Sequence, residues 1–337
     1  MIGKSWFRLV GVVMAATVLI SCGSDDSQST TASQTEPTAA VAGETEVPHI
    51  VVSTNIVGNV VSKMVGDLAE VTVIMPVGSD PHSFQPSAQQ VALMTDADAL
   101  IFNGAGFEEN LVGAIEAAAE GGTPTFAAIS AVSVLDFGEH AHAHDEHDDE
   151  HDDEDVAEDN PDPHFFTDPV QMVAAADEIA DFLATAVPTL ATDEFDASAS
   201  AYISELESLH DEVSELLAVI PAENRVLITN HEVFAYFAEQ YDFEVAGTVI
   251  PGGSTSGAAS AEGRADLVEL IEDEGVPAIF ADTSSSSDLS ETLVAEVDRE
   301  IQIVELFSES LGDSGSGGES YIDMVRTNAT RIADALA

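Results

Sequence analysis

Residues 49–77 read HIVVSTNIVGNVVSKMVGDLAEVTVIMPV, and their pattern indicates a parallel α/β protein. The β-branched run at 49–54 predicts a strand. Apolar residues at helical spacing over 56–65 predict a helix that stops at Gly66, and the run at 71–77 predicts a second strand. A strand, a helix and a strand in this order form a βαβ unit, in which the two strands lie parallel.

The same alternation continues along the chain on both sides of two long helices. The further predicted helices lie at 87–95, 108–119, 169–186, 194–219, 234–240, 260–274, 289–300 and 320–336. The further predicted strands lie at 99–102, 225–229, 243–250, 278–280 and 303–307. Two similar parallel-sheet α/β lobes joined by a long helix are the simplest architecture, and the cleft between them is the expected binding site.

The N-terminal residues predict export and lipid attachment. A basic start precedes an apolar run at 9–20, which is too short to cross a membrane because a spanning helix needs about 20 apolar residues. The run ends in a lipobox at Cys22, the only cysteine. Residues 1–21 are expected to be a signal peptide and 22–46 a lipidated flexible tether, since this segment has no apolar periodicity. An uncleaved anchor with an incidental cysteine is the alternative.

The rest of the chain is long enough for two lobes. Residues 47–167 are expected to form an N-terminal α/β lobe, 168–190 the connecting helix and 191–337 a C-terminal α/β lobe. A tract dominated by His, Asp and Glu interrupts the first lobe as a loop at 139–160.

The charge of the chain is strongly negative, with 8 Lys and Arg against 63 Asp and Glu and a formal net charge of −55. Nucleic acids and anionic ligands are therefore disfavoured partners. A solvated surface suited to salty surroundings is the preferred interpretation of this excess, because salt screens the repulsion between like charges. Attraction of cations is a side effect.

Three histidines fall where a parallel sheet places its ligands. Outside the acidic tract the chain has His49, His82, His164, His210 and His231. His82 and His164 each end an Asp-Pro-His sequence in a predicted loop, and His231 directly follows a predicted strand. A proline before the histidine stiffens the backbone that carries the imidazole. We interpret these three as metal ligands, and His49 and His210 as non-ligands.

Three imidazoles and one oxygen would make a four-coordinate site that suits zinc. The second lobe is expected to supply a carboxylate. The best candidate is Glu309, which follows the last strand, and the alternative fourth ligand is Asp282, which follows another strand. A structural role for Glu309, as a turn or helix cap, is the competing interpretation.

Together these residues resemble the metal-binding lipoproteins of the zinc and manganese ABC importers, the cluster A-I solute-binding proteins. The matching segments are 78–82 with Pro86, 102–108, 162–169, 230–236, and 309–312 with Tyr321 and Asn328. The resemblance implies that His82 and His164 belong to the first lobe and His231 to the second. It also implies that the carboxylate after the last strand completes the site, and that the joining helix is rigid. The family most often has Asp where this chain has Glu309.

This resemblance implies the substrate-binding component of a metal ABC importer, and not an enzyme. Such a protein would be an extracytoplasmic monomer, lipid-anchored to the outer face of the cell membrane, with a permease and its ATPase as partners. The transported ion is expected to be Zn²⁺, because manganese-binding members tend to have a carboxylate in place of His231. A manganese-binding homologue remains an alternative. A passive metal buffer or adhesin is a further alternative. A secreted zinc hydrolase with Glu232 as base is another, although the chain has no HExxH motif.

The acidic tract adds a second metal-binding hypothesis. Its histidines are His140, His142, His144, His147 and His151. The tract resembles the His-rich loop of the zinc-specific branch, and imidazoles among carboxylates are expected to bind metal weakly at several positions. A solvated acidic loop without metal is the alternative.

Overall fold

Two four-stranded parallel sheets form the framework of the protein in a computed structural model that describes residues 47–137, 160–257 and 260–337. The predicted signal peptide, the tether with Cys22, and the tract with its five histidines lie outside the described residues. In the described ranges no helix is both long and apolar enough to cross a bilayer.

The first sheet has the strand order β2-β1-β3-β4. Its strands are β1 (His49–Val52), β2 (Glu70–Val73), β3 (Ala99–Phe102) and β4 (Thr125–Ala127). The helices that accompany them are α1 (Asn55–Val65), α2 (Ala88–Thr95) and α3 (Val112–Gly121). All three pairings are parallel, as the βαβ pattern predicts.

Two long helices, α4 (Pro169–Ala186) and α5 (Asp193–Leu217), follow the first sheet and pack on each other. Helix α4 has the bounds that the sequence predicts. Asp168 caps it by accepting a hydrogen bond from Val170 N across 2.8 Å, and Pro169 occupies the first turn, where a missing N–H costs nothing.

The second sheet repeats the arrangement of the first, with the order β6-β5-β7-β8. Its strands are β5 (Val226–Thr229), β6 (Glu244–Thr248), β7 (Ala278–Asp282) and β8 (Gln302–Leu306). Its helices are α6 (Ala235–Tyr241), α7 (Ala261–Glu274), α8 (Asp288–Glu296) and α9 (Tyr321–Leu336). The prediction of two parallel-sheet α/β lobes is therefore confirmed.

Consecutive residues of the central strands face different cores, because side chains alternate along a strand. In β1, Ile50 and Val52 point into a large cluster that also contains residues of α1, α4, α5 and α9, whereas Val51 points into a smaller cluster under α2 and α3. In the second lobe, Phe280 joins the same large cluster, and Ile279 joins an outer cluster under α7 and α8.

The large cluster is thus shared by both sheets, and Glu46–Ala337 forms one unit by its contacts. The predicted boundaries of lobes and connecting helix stay predictions.

Four elements differ from the prediction by more than two residues. Strand β2 ends at Val73, four residues before the predicted end at residue 77. Strand β4 was not expected from the sequence. Helix α3 begins at Val112 and not at residue 108, because the Glu108 carboxylate turns inward and accepts hydrogen bonds from Asn103 N, Gly104 N and the Ser53 hydroxyl. Burial raises the pKa of Glu108, and these three donors only partly offset the rise. Helix α8 ends at Glu296, four residues before the predicted end.

Candidate metal centre

The structure brings four of the predicted side chains to one point between the two sheets. His82 lies in the loop after β2, His164 precedes a short 3-10 turn at Phe165–Thr167, His231 follows β5, and Glu309 follows β8. One ligand atom from each lies within 4.8 Å of the others, and all four side chains are buried. The carboxyl ends of parallel strands meet at the same edge of a sheet, which explains why residues so distant in sequence converge.

The Glu309 carboxylate is the centre of this group. Its Oε2 lies 3.4 Å from His82 Nε2, and its Oε1 lies 3.3 Å from His164 Nε2 and 2.9 Å from His231 Nε2. Zinc bonds of about 2.0 to 2.1 Å in a tetrahedral site would separate ligand atoms by about 3.3 Å. The distances between the Glu309 oxygens and the imidazole nitrogens are close to this value, so they fit an ion of the size of zinc.

The same atoms lack ordinary hydrogen-bond partners. Within the described residues, both Glu309 oxygens and the Nε2 atoms of all three imidazoles are buried and make no well-aligned hydrogen bond, although they lie close to one another. Buried polar atoms are rarely left in this state, because each unpaired group costs about 1 to 3 kcal/mol. A divalent cation would satisfy them all at once, so the four residues could hold a metal.

Hydrogen bonds at Nδ1 orient two of the three imidazoles. His164 Nδ1 donates to Asp162 Oδ1 across 2.6 Å, and His82 Nδ1 donates to Glu109 Oε1 across 3.2 Å. A proton held on Nδ1 leaves the Nε2 lone pair free to face the centre of the site. His231 differs, since its Nδ1 has no hydrogen-bond partner among the described residues.

The repeated Asp-Pro-His sequence forms the same local turn twice. Asp80 Oδ1 accepts the backbone N–H of His82 across 2.9 Å, and Asp162 Oδ1 accepts that of His164 across 2.9 Å. The aspartate thus fixes the backbone of the residue two positions on, as Asx turns do. These aspartates had no predicted role, although the repetition of the Asp-Pro-His motif was the signal that could have indicated one.

Asp162 is expected to control the affinity of the site through His164. Replacing Asp162 by Ala removes the acceptor that orients the ring, so zinc affinity should fall by about 10- to 100-fold. Asp80→Ala is the comparison, because the His82 ring keeps its bond to Glu109. Chelator competition measures both variants, and equal losses in the two would contradict the proposed role of Asp162.

The alternative ligand, Asp282, lies outside the four-residue group. It is buried at the end of β7, and its two oxygens accept hydrogen bonds from Ser284 N across 3.0 Å and from the Ser284 hydroxyl across 2.5 Å. Burial, together with the nearby Glu309 carboxylate, raises the pKa of Asp282. The two histidines predicted as non-ligands also lie elsewhere: His49 contacts the Thr72 hydroxyl and His210 stacks on Tyr241.

Protons compete for the site in the absence of a metal. Burial by itself lowers the pKa of His164, but the Asp162 and Glu309 carboxylates reverse this effect and raise it to about 9. Burial likewise lowers the pKa of His82, and Glu309 raises it above the usual value. Burial raises the pKa of Glu309, but the imidazoles, His231 foremost, hold it well below its usual range. The carboxylate is thus ionised and ready to bind a cation.

A cavity of about 520 Å³ leads from the surface to His82. Two carboxylates, Glu109 and Glu232, line it together with Phe137 and Ser254. Acidic walls attract cations, so this cavity is a suitable entrance for a divalent ion. Glu232, the base of the hydrolase hypothesis, accepts a hydrogen bond from Gly252 N across 3.3 Å.

Two parallel-sheet lobes with a group of side chains in the cleft between them that could hold a metal define a solute-binding protein of the type that serves metal ABC importers. The chain matches the ZnuA family, described as zinc-uptake complex component A, periplasmic, over residues 50–335, and it belongs to this family.

Relatives and solved structures agree with this assignment. The manganese-binding lipoprotein MntA of Halalkalibacterium halodurans is 25% identical over 327 residues, with 97% of each chain covered. The zinc-binding protein TroA of Treponema pallidum is 28% identical over 294 residues, covering 86% of this chain and 89% of TroA. The solved structure of TroA superimposes with a TM-score of 0.75 at 27% identity, over 87% of this chain and 100% of the other.

The predicted class is therefore confirmed: the protein is the substrate-binding component of a metal ABC importer and not an enzyme. The family works outside the cytoplasm together with a membrane permease and an ATPase. The hydrolase hypothesis is dropped. The names of the relatives include both zinc and manganese, so they do not favour one metal.

Proposed function

We propose that this protein captures zinc through His82, His164, His231 and Glu309 and delivers it to the membrane permease of its importer. The observation that carries the proposal is the convergence of buried nitrogen and oxygen atoms within 4.8 Å of one another, with the Glu309 oxygens 2.9 to 3.4 Å from the three imidazoles. Three of the four ligands are imidazoles, and this donor set favours zinc over the harder manganese ion, which prefers oxygen ligands.

One feature favours manganese as the second candidate. Both oxygens of Glu309 face the imidazoles, with Oε2 towards His82 and Oε1 towards the other two. A carboxylate that bound through both oxygens would raise the coordination number above four. Such a higher coordination number suits ions that favour tetrahedral geometry less than zinc does.

Capture requires the ligands to lose their protons. His164, with its raised pKa, must be deprotonated at Nε2 while Asp162 keeps the Nδ1 proton in place. Phe107 packs edge-on against His82 and His164, at ring distances of 5.4 and 5.6 Å, and helps to exclude water from the bound ion. Release is proposed to occur when the permease parts or distorts the two lobes.

The protein is proposed to act as a monomer held at the outer face of the cell membrane by lipid on Cys22. The support for the anchor is the lipobox in the sequence and the word lipoprotein in the name of the relative MntA. Such an anchor would keep the binding protein close to its permease.

The His-rich tract is proposed to act as an auxiliary, weak metal-binding segment beside the entrance. The described chain stops at Phe137 and resumes at Asn160, and both residues line the cavity that leads to His82. Phe137 N also donates to Asn160 O across 3.0 Å, so the described residues on either side of the tract meet at this entrance.

Competitive titration of zinc against manganese tests the proposed function. The full-length protein and a variant lacking residues 139–155 are titrated in parallel. We expect one tight zinc site in both, with manganese weaker by orders of magnitude, and extra weak zinc equivalents only in the full-length protein. Equal or tighter manganese binding would assign the protein to manganese. Loss of the tight site on deletion would contradict the assignment of the four ligands.

A further inference from the structure

A buried hydrogen-bond cluster joins the two lobes directly beside Glu309. Ser310, the next residue, is fully buried, and its hydroxyl accepts hydrogen bonds from Gly78 N across 2.7 Å and from Asn55 Nδ2 across 3.0 Å. Asn55 Oδ1 in turn accepts from Leu311 N across 2.7 Å. Asn55 and Gly78 belong to the part of the chain that forms the first sheet, so each of these bonds crosses between lobes.

Asn55 is itself held firmly in the first lobe. It is the first residue of α1, and its side-chain amide also donates towards Met75 O and Pro76 O, at 3.4 and 3.2 Å. Both carbonyls lie in the loop after β2 that carries His82. The side chain therefore connects the backbone that precedes one metal ligand with the backbone that follows another.

The segment that carries Glu309 has no regular secondary structure of its own. On one side of Glu309 it is anchored within its own lobe, where the Asn328 side chain receives a hydrogen bond from Phe307 N and donates one to Phe307 O, at 2.9 and 2.8 Å. On the other side it is anchored by Asn55 of the opposite lobe. The position of the carboxylate thus depends on both lobes at once.

The hydrogen bonds between the lobes at the rim of the cleft differ in being closer to solvent. Ser254 donates to Glu109 across 2.6 Å, and Thr255 donates to Asp80 across 2.8 Å. Glu109 is 39% exposed, so water competes for its hydrogen bond. The bond from Asn55 to Ser310 is buried and the bond from Gly78 N is partly buried, so water competes less for them, and the buried bond is costly to leave unmade.

From this geometry we infer that Ser310 and Asn55 are positioning residues that make the binding of zinc by Glu309 depend on the relative position of the lobes. When the lobes sit as described, the cluster holds residues 309–311 so that the carboxylate faces the imidazoles. A small separation breaks the bonds from Gly78 N and Asn55, frees the segment and lets Glu309 withdraw. Metal is then released without a wide opening of the cleft. This inference rests on the proposed function of the four ligands.

The test measures zinc dissociation in the full-length protein by rapid mixing with an excess of chelator. Ser310→Ala is expected to raise the dissociation rate by about 10- to 100-fold, the usual range for residues that orient metal ligands. The absorption spectrum of bound cobalt(II) is expected to change as well, because the carboxylate shifts. Ser290→Ala is the matched control, since Ser290 is also a buried serine of the second lobe but lies in α8.

A double-mutant cycle separates positioning from a general structural effect. If Ser310 acts through Glu309, Ser310→Ala should change the dissociation rate by less than about twofold in a Glu309→Ala background. Similar acceleration in both backgrounds, or no acceleration in either, would overturn the inference. Failure of the proposed function looks different: the unmodified protein would then show no tight zinc site at all.

Discussion

Replacing His164 by Ala is expected to weaken zinc binding by about 1000-fold, which corresponds to about 4 kcal/mol. The variant loses one of four ligands, and it also leaves Asp162 and Glu309 as buried carboxylates without their imidazole neighbour. Both effects act in the same direction. Competition with a chromophoric chelator of known affinity measures the loss directly.

His210→Ala is the control for this change. His210 lies in α5, where its ring stacks on Tyr241 and its Nδ1 lies 3.3 Å from the Tyr241 hydroxyl. Losing it removes a histidine but no atom of the metal centre, so zinc affinity should stay at the level of the unmodified protein. Tight binding in the His164→Ala variant would remove that residue from the site.

Saturating zinc is expected to raise the melting temperature, and the increase should grow as the pH rises from about 6.5 to 9. At a free zinc concentration 1000 times the dissociation constant, the folded state gains about 4 kcal/mol. For a protein of this size that corresponds to a shift of about 7 °C. Thermal unfolding with and without zinc measures the difference at each pH.

The sign of the pH dependence follows from His164. Its pKa is raised to about 9 in the folded metal-free protein, so the added stability is complete below its usual value of 6.5 and is lost as the pH rises through 9. Zinc binding changes in the opposite direction, because fewer protons compete for the imidazole. A zinc-induced shift that stayed constant or decreased over this range would contradict the proton competition.

The sequence predicted the fold because both kinds of element carry strong local signals. The β-branched runs of β1 and β5 and the helical spacing of α4 and α5 are each visible within a few residues. Strand β4 was missed because it has only three residues and none of them is fully buried. Its place in the sheet depends on pairing with β3, which no local pattern reports.

The candidate site was predictable in part for a similar reason. His82, His164 and His231 stand at strand ends or in a repeated motif, so local sequence indicates them. The choice between Glu309 and Asp282 could not be made in this way, because both follow strands of the same sheet. The structure shows Asp282 bound to Ser284, whereas the Glu309 oxygens face the imidazoles. The contact of Asn55 with Ser310 joins residues 255 positions apart, and only the folded chain reveals it.

The large hydrophobic cluster affects how the protein resists unfolding and proteolysis outside the cell. Each sheet buries one of its faces in this cluster, and α1, α4, α5 and α9 complete it for both. Each half has an outer cluster of its own, but its inner face is covered only in the shared cluster, so neither half is expected to persist alone as a stable fragment. A metal ion bound at the cleft is consequently expected to protect the whole folded unit against proteases, so an empty carrier should be degraded sooner than a loaded one.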